Sequence, residues 1–120
     1  MEFNFKKAGN TVIVYLKGRL DVNYSAEIEK EMGKLIAFES GSHFLINMKD
    51  VQYVSSSGLR IFVLFVKALK EDGRKFVLCN INNTIKKVFE VIQITDMFHI
   101  FNSEDEAMQF LKGIDLKKQD

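Results

Sequence analysis

The sequence contains no proline and a single cysteine, Cys79. Without proline, no helix or strand is interrupted by a ring that fixes φ and removes an N–H donor. One cysteine excludes an intramolecular disulfide and fits a reducing compartment, so a cytoplasmic protein is expected. Long hydrophobic runs are missing too. The most hydrophobic, Ile61 to Val66, falls far short of the ~18 apolar residues of a membrane span, and no membrane insertion is expected. The opening residues, MEFNFKKAGN, lack the uninterrupted apolar core of a signal peptide. Charge of one sign is not in excess either. Seventeen Lys and Arg against 16 Asp and Glu leave a formal net charge of +1, with no dense basic block, and nucleic acid is not an expected partner.

What remains is an ordinary globular composition, 47% hydrophobic and 28% charged over 120 residues, long enough to bury a core in one domain. Phe3 and Phe5 alternate with Glu2, Asn4 and Lys6 at the period of a half-buried strand. Gly9-Asn10 signals a tight turn into a second strand, Thr11 to Lys17, and the two should form a hairpin. Gly18-Arg19-Leu20-Asp21 then ends the strand and leads into a helix over residues 24–38, with Asn23 or Ser25 as its cap. Ile28, Met32, Leu35 and Ile36 mark its buried face. Gly33 inside that helix costs roughly 1 kcal/mol against alanine, which implies either close packing or a locally weak helix.

Phe44 to Met48 has the pattern of a strand buried on both faces. A helix from about Ser57 to Glu71, closed by Gly73, and a strand from Lys75 to Cys79 complete a parallel βαβ unit. Asn82-Asn83-Thr84 offers caps for a helix striped by Ile85, Val88, Phe89 and Ile92. Phe98 to Phe101 is a short last strand. Ser103 and Glu106 form a capping-box pattern before a helix with Ala107, Phe110, Leu111 and Ile114 on one face. From Lys112 the chain turns polar, and a tail from about residue 113 is expected to fray. The order ββαβαβαβα describes a single α/β domain over residues 1–120, a mixed, mostly parallel β-sheet flanked by four α-helices.

Few residues carry chemistry. The Gly-x-Ser-x-Gly elbow of serine hydrolases is absent, and the only histidines, His43 and His99, precede strands at the opposite edge of the sheet from the serines. No base accompanies a nucleophile, so no enzyme and no catalytic residue is expected. Two separated histidines and one cysteine make no metal pattern, and no cofactor motif occurs. The conspicuous stretch is Ser55-Ser56-Ser57-Gly58, between a strand and the helix bearing Leu59, Ile61, Phe62, Val63, Leu64, Phe65 and Val66. A serine caps a helix well, and the positive end of the dipole favours an anion there. Any of the three serines could carry a phosphate without unfolding its helix. The helix is apolar most of the way round, so it is either wedged among other elements or presents a contact patch.

This order of elements, with Gly18-Arg19-Leu20-Asp21 after the second strand and Ser55-Ser56-Ser57-Gly58-Leu59 after the third, resembles the STAS domain of bacterial anti-sigma factor antagonists. The Lys86-Lys87-Val88-Phe89 helix and the Phe98-His99-Ile100-Phe101 segment are similar as well, so the likeness covers nearly the whole chain. The resemblance implies a protein that, unphosphorylated, binds an anti-sigma factor and frees its sigma factor. The anti-sigma factor would also be a serine kinase that switches the antagonist off, and a PP2C-type phosphatase would reverse it. By position the phosphorylated residue is Ser56, with Asp21, Ser55, Ser57 and Gly58 beside it and Leu59, Arg60 and Val63 facing the partner. Ser55 departs from the family pattern, where aspartate is common. That departure raises an alternative, a constitutive STAS subunit of a larger stress-signalling or lipid-transport complex. A small-molecule or nucleotide site near Asp21 and Ser56 is a third reading.

Overall fold

The computed structural model describes residues 2–118, with side chains from residue 3 to residue 114. Five strands form one sheet in the order β1-β2-β3-β4-β5. They are β1 (Glu2–Ala8), β2 (Thr11–Leu20), β3 (His43–Val54), β4 (Phe76–Cys79) and β5 (His99–Phe101). The helices are α1 (Val22–Phe38), α2 (Ser56–Lys70), α3 (Asn83–Val91) and α4 (Glu104–Lys118), and a short 3₁₀ turn covers Thr95–Met97. β1 pairs antiparallel with β2, and every later pairing is parallel. The element order agrees with the expectation.

Because β2 to β5 advance in one direction, right-handed crossovers place α1, α2 and α3 on the same face of the sheet. Their buried side chains form one core, from Tyr24, Ile28 and Met32 of α1 through Phe62 and Phe65 of α2 to Ile85 and Phe89 of α3. A run of tilted rings joins these layers: Phe62 to Phe76 at 5.8 Å, Phe76 to Phe98 at 6.3 Å and Phe98 to Phe89 at 5.3 Å. The other face is covered by α4, whose Ala107 and Leu111 pack on Ile13, Leu45, Val77 and Cys79. The Cys79 thiol is fully buried there, and that burial pushes its pKa up to about 12, so it is an inert packing group.

The strands run further than the sequence pattern suggested. Gly18 takes φ +97°, which bends β2 without ending it. β2 continues to Leu20 because β3 also continues, to Val54, and supplies partners through two register shifts. The Lys17 N–H at this irregularity donates to the Tyr24 hydroxyl at 3.4 Å. α1 accordingly begins earlier than expected, and its cap is neither Asn23 nor Ser25. Asp21 holds that position, with Oδ1 accepting the Tyr24 N–H at 3.0 Å. The polar stretch from Lys112 continues as helix through Lys118; residues 119–120 lie outside the described residues.

Two features of this frame generate tests. A Cβ on Gly33 would meet nothing within 4 Å, so the glycine is a weak point in α1 and not a packing requirement. Gly33→Ala should therefore stabilise the protein by about 0.5–1 kcal/mol, raising Tm by a few degrees in a thermal melt. α4 is tied to the sheet by Glu104, which accepts from the Tyr15 hydroxyl at 2.7 Å and from Asn47 Nδ2 at 3.1 Å. Burial works against the Glu104 carboxylate, but these hydrogen bonds and the charges of Lys6 and Lys49 outweigh it and hold its pKa below the usual 4.5. Burial, and then the bond to Glu104, pushes Tyr15 up to about 12. A depressed carboxyl pKa stabilises the fold above the unfolded value, and that contribution is lost as pH falls through the folded one. Tyr15→Phe should cost about 1–2 kcal/mol in urea unfolding at pH 7, and the gap from wild type should shrink as pH drops below 4.5.

Candidate functional site at the carboxyl edge of the sheet

Four helices start at the carboxyl edge of the parallel strands, each capped by a side chain accepting from the third N–H of its helix; for α4 this is Ser103 Oγ, which accepts from the Glu106 N–H at 3.2 Å. Asp21 caps α1, Ser55 caps α2 through Oγ to the Gly58 N–H at 3.2 Å, and Asn82 caps α3 through Oδ1 to the Ile85 N–H at 2.8 Å. The pairing of Leu20 with Val54 sets Asp21 and Ser55 on neighbouring strand ends. The Ser55 N–H donates to the Leu20 carbonyl at 2.9 Å, and Asn82 Nδ2 donates to the Val51 carbonyl at 3.2 Å. The loops of this edge are thus braced against each other by one backbone bond and one side-chain bond to backbone.

Gly58 explains how closely α2 approaches. A Cβ there would stand 3.0 Å from Val54 Cγ1 and 3.3 Å from both Cβ and the carbonyl oxygen of Leu20. The first turn of α2 is pressed onto the ends of β2 and β3, and only glycine fits without displacement. Its neighbours divide three ways. Ser55 is half-buried and occupied as the cap, Ser57 is half-buried, and Ser56 is exposed at the first helical position. The Ser56 hydroxyl has no hydrogen-bond partner among the described residues. The first turn of α2 also holds no acidic side chain, so its dipole is uncompensated there.

The helix behind this turn is mostly wedged. Leu59, Ile61, Phe62, Phe65 and Leu69 are buried, whereas Arg60, Leu64 and Lys67 form an exposed stripe. Leu59 was expected on a contact surface, but it is 5% exposed and belongs to the core. It follows directly on the turn that Gly58 brings against the sheet, which carries its side chain inward. Val63 is half-buried against that core, and Arg60 is exposed as a contact residue requires. Two exposed apolar residues escaped the sequence reading: Leu64, 44% exposed, and Val22, 66% exposed just after Asp21. Neither was legible from the pattern: Val22 precedes the expected start of α1, and Leu64 lies in a helix that is apolar most of the way round. Arg19 stacks over the Tyr53 ring at 4.4 Å, an exposed cross-strand pair on the same edge.

The histidines stand at the other end. His43 begins β3 and is buried, its Nδ1 accepting from the Lys75 N–H at 3.0 Å, and His99 begins β5. Neither reaches the serines, so no imidazole is placed to take a proton from Ser56.

Residues 2–107 match the STAS domain family model. The chain is 31% identical over 105 residues to the anti-sigma-B factor antagonist of Bacillus subtilis, covering 87% of this chain and 94% of that protein. The chain belongs to the STAS-domain family of anti-sigma factor antagonists. Its fold is close to that of the anti-sigma factor antagonist SpoIIAA in the unphosphorylated form, with a TM-score of 0.74 at 22% identity over 93% of this chain and 99% of that one. It is also close to Bacillus SpoIIAA in the phosphorylated form, with a TM-score of 0.72 at 21% identity over 92% and 99%. In this STAS domain the roles of Ser55, Ser56 and Gly58 separate by stability. Ser55→Ala should cost about 1 kcal/mol of unfolding free energy through the lost cap. Gly58→Ala should cost about 1–3 kcal/mol, and Ser56→Ala less than about 0.5 kcal/mol. Chemical denaturation of the three variants checks the order.

Proposed function

We propose that this STAS domain acts on an anti-sigma factor, and that phosphorylation of Ser56 switches the binding off. The observation that carries the reading is the division of labour in the first turn of α2. Ser55 holds the cap, while Ser56 is exposed with its hydroxyl unengaged. A phosphate on Ser56 adds roughly −1.5 to −2 charges at pH 7 and three acceptor oxygens. Next to its own helix it meets N–H groups and the positive dipole end, so the fold tolerates it. That SpoIIAA in both its forms shares this fold supports a switch without refolding. Against a docked partner the same charge is desolvated, and it is repelled by any acidic group opposite. Losing ~2–4 kcal/mol that way weakens a complex ~30- to 1,000-fold.

Serine at position 55 in place of the family's aspartate is consistent with this reading. Both residues cap helices well, so α2 starts equally firmly with either. The serine removes a negative charge from beside Ser56, which eases the arrival of a phosphate and changes what a kinase sees. The partners implied are an anti-sigma factor that is also a serine kinase, and a PP2C-type phosphatase. The role is regulatory and not enzymatic, and it would be performed in the cytoplasm, where sigma factors act. No helix among the described residues is long and apolar enough to cross a membrane.

The test pairs the chain with the anti-sigma kinase of its own genome and ATP. Mass spectrometry should find one phosphate on Ser56, and Ser56→Ala should take up none. Ser56→Asp should weaken binding to that kinase by roughly 30-fold or more while Tm stays within a degree or two. No incorporation into wild type, or equal incorporation into Ser56→Ala, defeats the switch. Recovery of transporter subunits in place of a kinase would favour the constitutive subunit.

A further inference from the structure

At the end of the sheet away from the serines, α2, the 3₁₀ turn and the first residues of β4 and β5 line an open cleft of about 440 Å³. Its floor is apolar, from Val66, Phe76 and Met97, and its rim is basic, from Lys67, Lys70 and Lys75. Asp96 is the one carboxylate among the lining residues. Arg74, also at the rim, is committed to Asp72 and to the carbonyls of Ile36 and Glu39. The three lysine ammonium groups have no ion-pair partner among the described residues. In a chain of net charge +1, this is a marked local concentration of positive charge.

Lysines in the last turn of a helix offset the negative end of its dipole, which accounts for Lys67 and Lys70. It does not account for Lys75, just before β4, and His99, the first residue of β5, which line the same space. His99 shares the cleft with Lys75, the residue before β4, and with Asp96 from the 3₁₀ turn, while Phe110 of α4 lies against its ring at 4.7 Å. Burial and the charge of Lys75 lower the His99 pKa, which disfavours the charged imidazole and leaves the lysines to set the sign of the site. A volume of this size is in the range of small-ligand clefts, about 300–1,000 Å³. Apolar floor and cationic rim together select for a molecule that has both parts.

We propose that this basin binds an amphipathic organic anion, its phosphate, sulfate or carboxylate head held by Lys67, Lys70 and Lys75 and its short apolar body lying on Val66, Phe76 and Met97. The site goes beyond the switch at Ser56 and does not depend on it. The test is a titration of the full chain with hexyl phosphate, followed by amide and imidazole NMR, beside titrations with inorganic phosphate, hexanol and phosphatidylglycerol vesicles. Hexyl phosphate should give saturable shifts confined to residues 66–70, Lys75, Met97 and His99. It should raise the His99 pKa, since a bound anion counters Lys75. Lys75→Glu should weaken binding roughly tenfold or more at unchanged Tm, and Lys70→Glu should do the same with a small fall in Tm from its place at the helix C-terminus, while Lys86→Glu on α3 should not weaken binding. Equal affinity for inorganic phosphate, binding of hexanol alone, response only to vesicles, or shifts spread over lysines across the whole surface would overturn the proposal.

Discussion

The contact on which the rest of the structure depends is the seat of the first turn of α2 on the paired ends of β2 and β3. One backbone bond, Ser55 N–H to the Leu20 carbonyl, and one missing side chain, at Gly58, fix it. If β2 stopped at Lys17, Leu20 would have no strand partner, Asp21 would not stand next to Ser55, and α1 and α2 would begin at unrelated places. Pairing out to Leu20 and Val54 makes two helix starts into one surface. The Asn82 side chain, reaching back to the Val51 carbonyl, adds the third. A hydroxyl on that surface is held by the sheet, not by a free loop. Its position relative to a partner is therefore set by the most buried part of the molecule.

The same seat explains why modification at this point can be local. The cap bond belongs to Ser55, so charge added at Ser56 competes with no hydrogen bond that the helix needs. Beneath it, Leu59, Phe62 and Phe65 are locked into the core on the α1–α3 face. Moving the turn would open contacts worth about 1.5–3 kcal/mol for each large side chain exposed. A phosphate that meets a favourable dipole has no comparable reason to move it. Rigidity beneath and exposure above are two sides of one packing arrangement.

Much of this was legible in the sequence because most of the fold is written in local signals. The hairpin turn at Gly9-Asn10, the apolar run Phe44 to Met48 and the Asn82 cap each carry their own periodicity or turn chemistry. What could not be read depends on partners distant in the chain. The outer half of β3, Lys49-Asp50-Val51-Gln52-Tyr53-Val54, is too polar to read as a strand; it is one because the bent β2 lies beside it. Asp21 was hidden as a cap for the same reason, since only the end of β2 decides where α1 starts. Leu59 read as surface because an all-round apolar helix gives no sign of which side faces inward, and Gly58 supplies that sign only through its three contacts. The serine cluster was legible as a helix start, whereas its division into one cap and one open hydroxyl was not.

The two ends of α2 can be treated as electrostatically separate. Its 15 residues make a rod about 22 Å long, with Ser56 at the head and Lys67 and Lys70 near the tail. At physiological ionic strength the screening length is about 8 Å, so a phosphate at the head is felt only weakly by exposed lysines at the tail. The helix dipole does not carry the signal either, because its effect fades within the first or last turn. Coupling between the serine edge and the basic basin would therefore have to be mechanical. It would require α2 to shift as a body against Phe76 and β2, which the rings at 5.8 and 6.2 Å and the closeness of Gly58 to Leu20 both oppose. A partner that grips the exposed stripe of Arg60, Leu64 and Lys67 would touch the helix between the two ends.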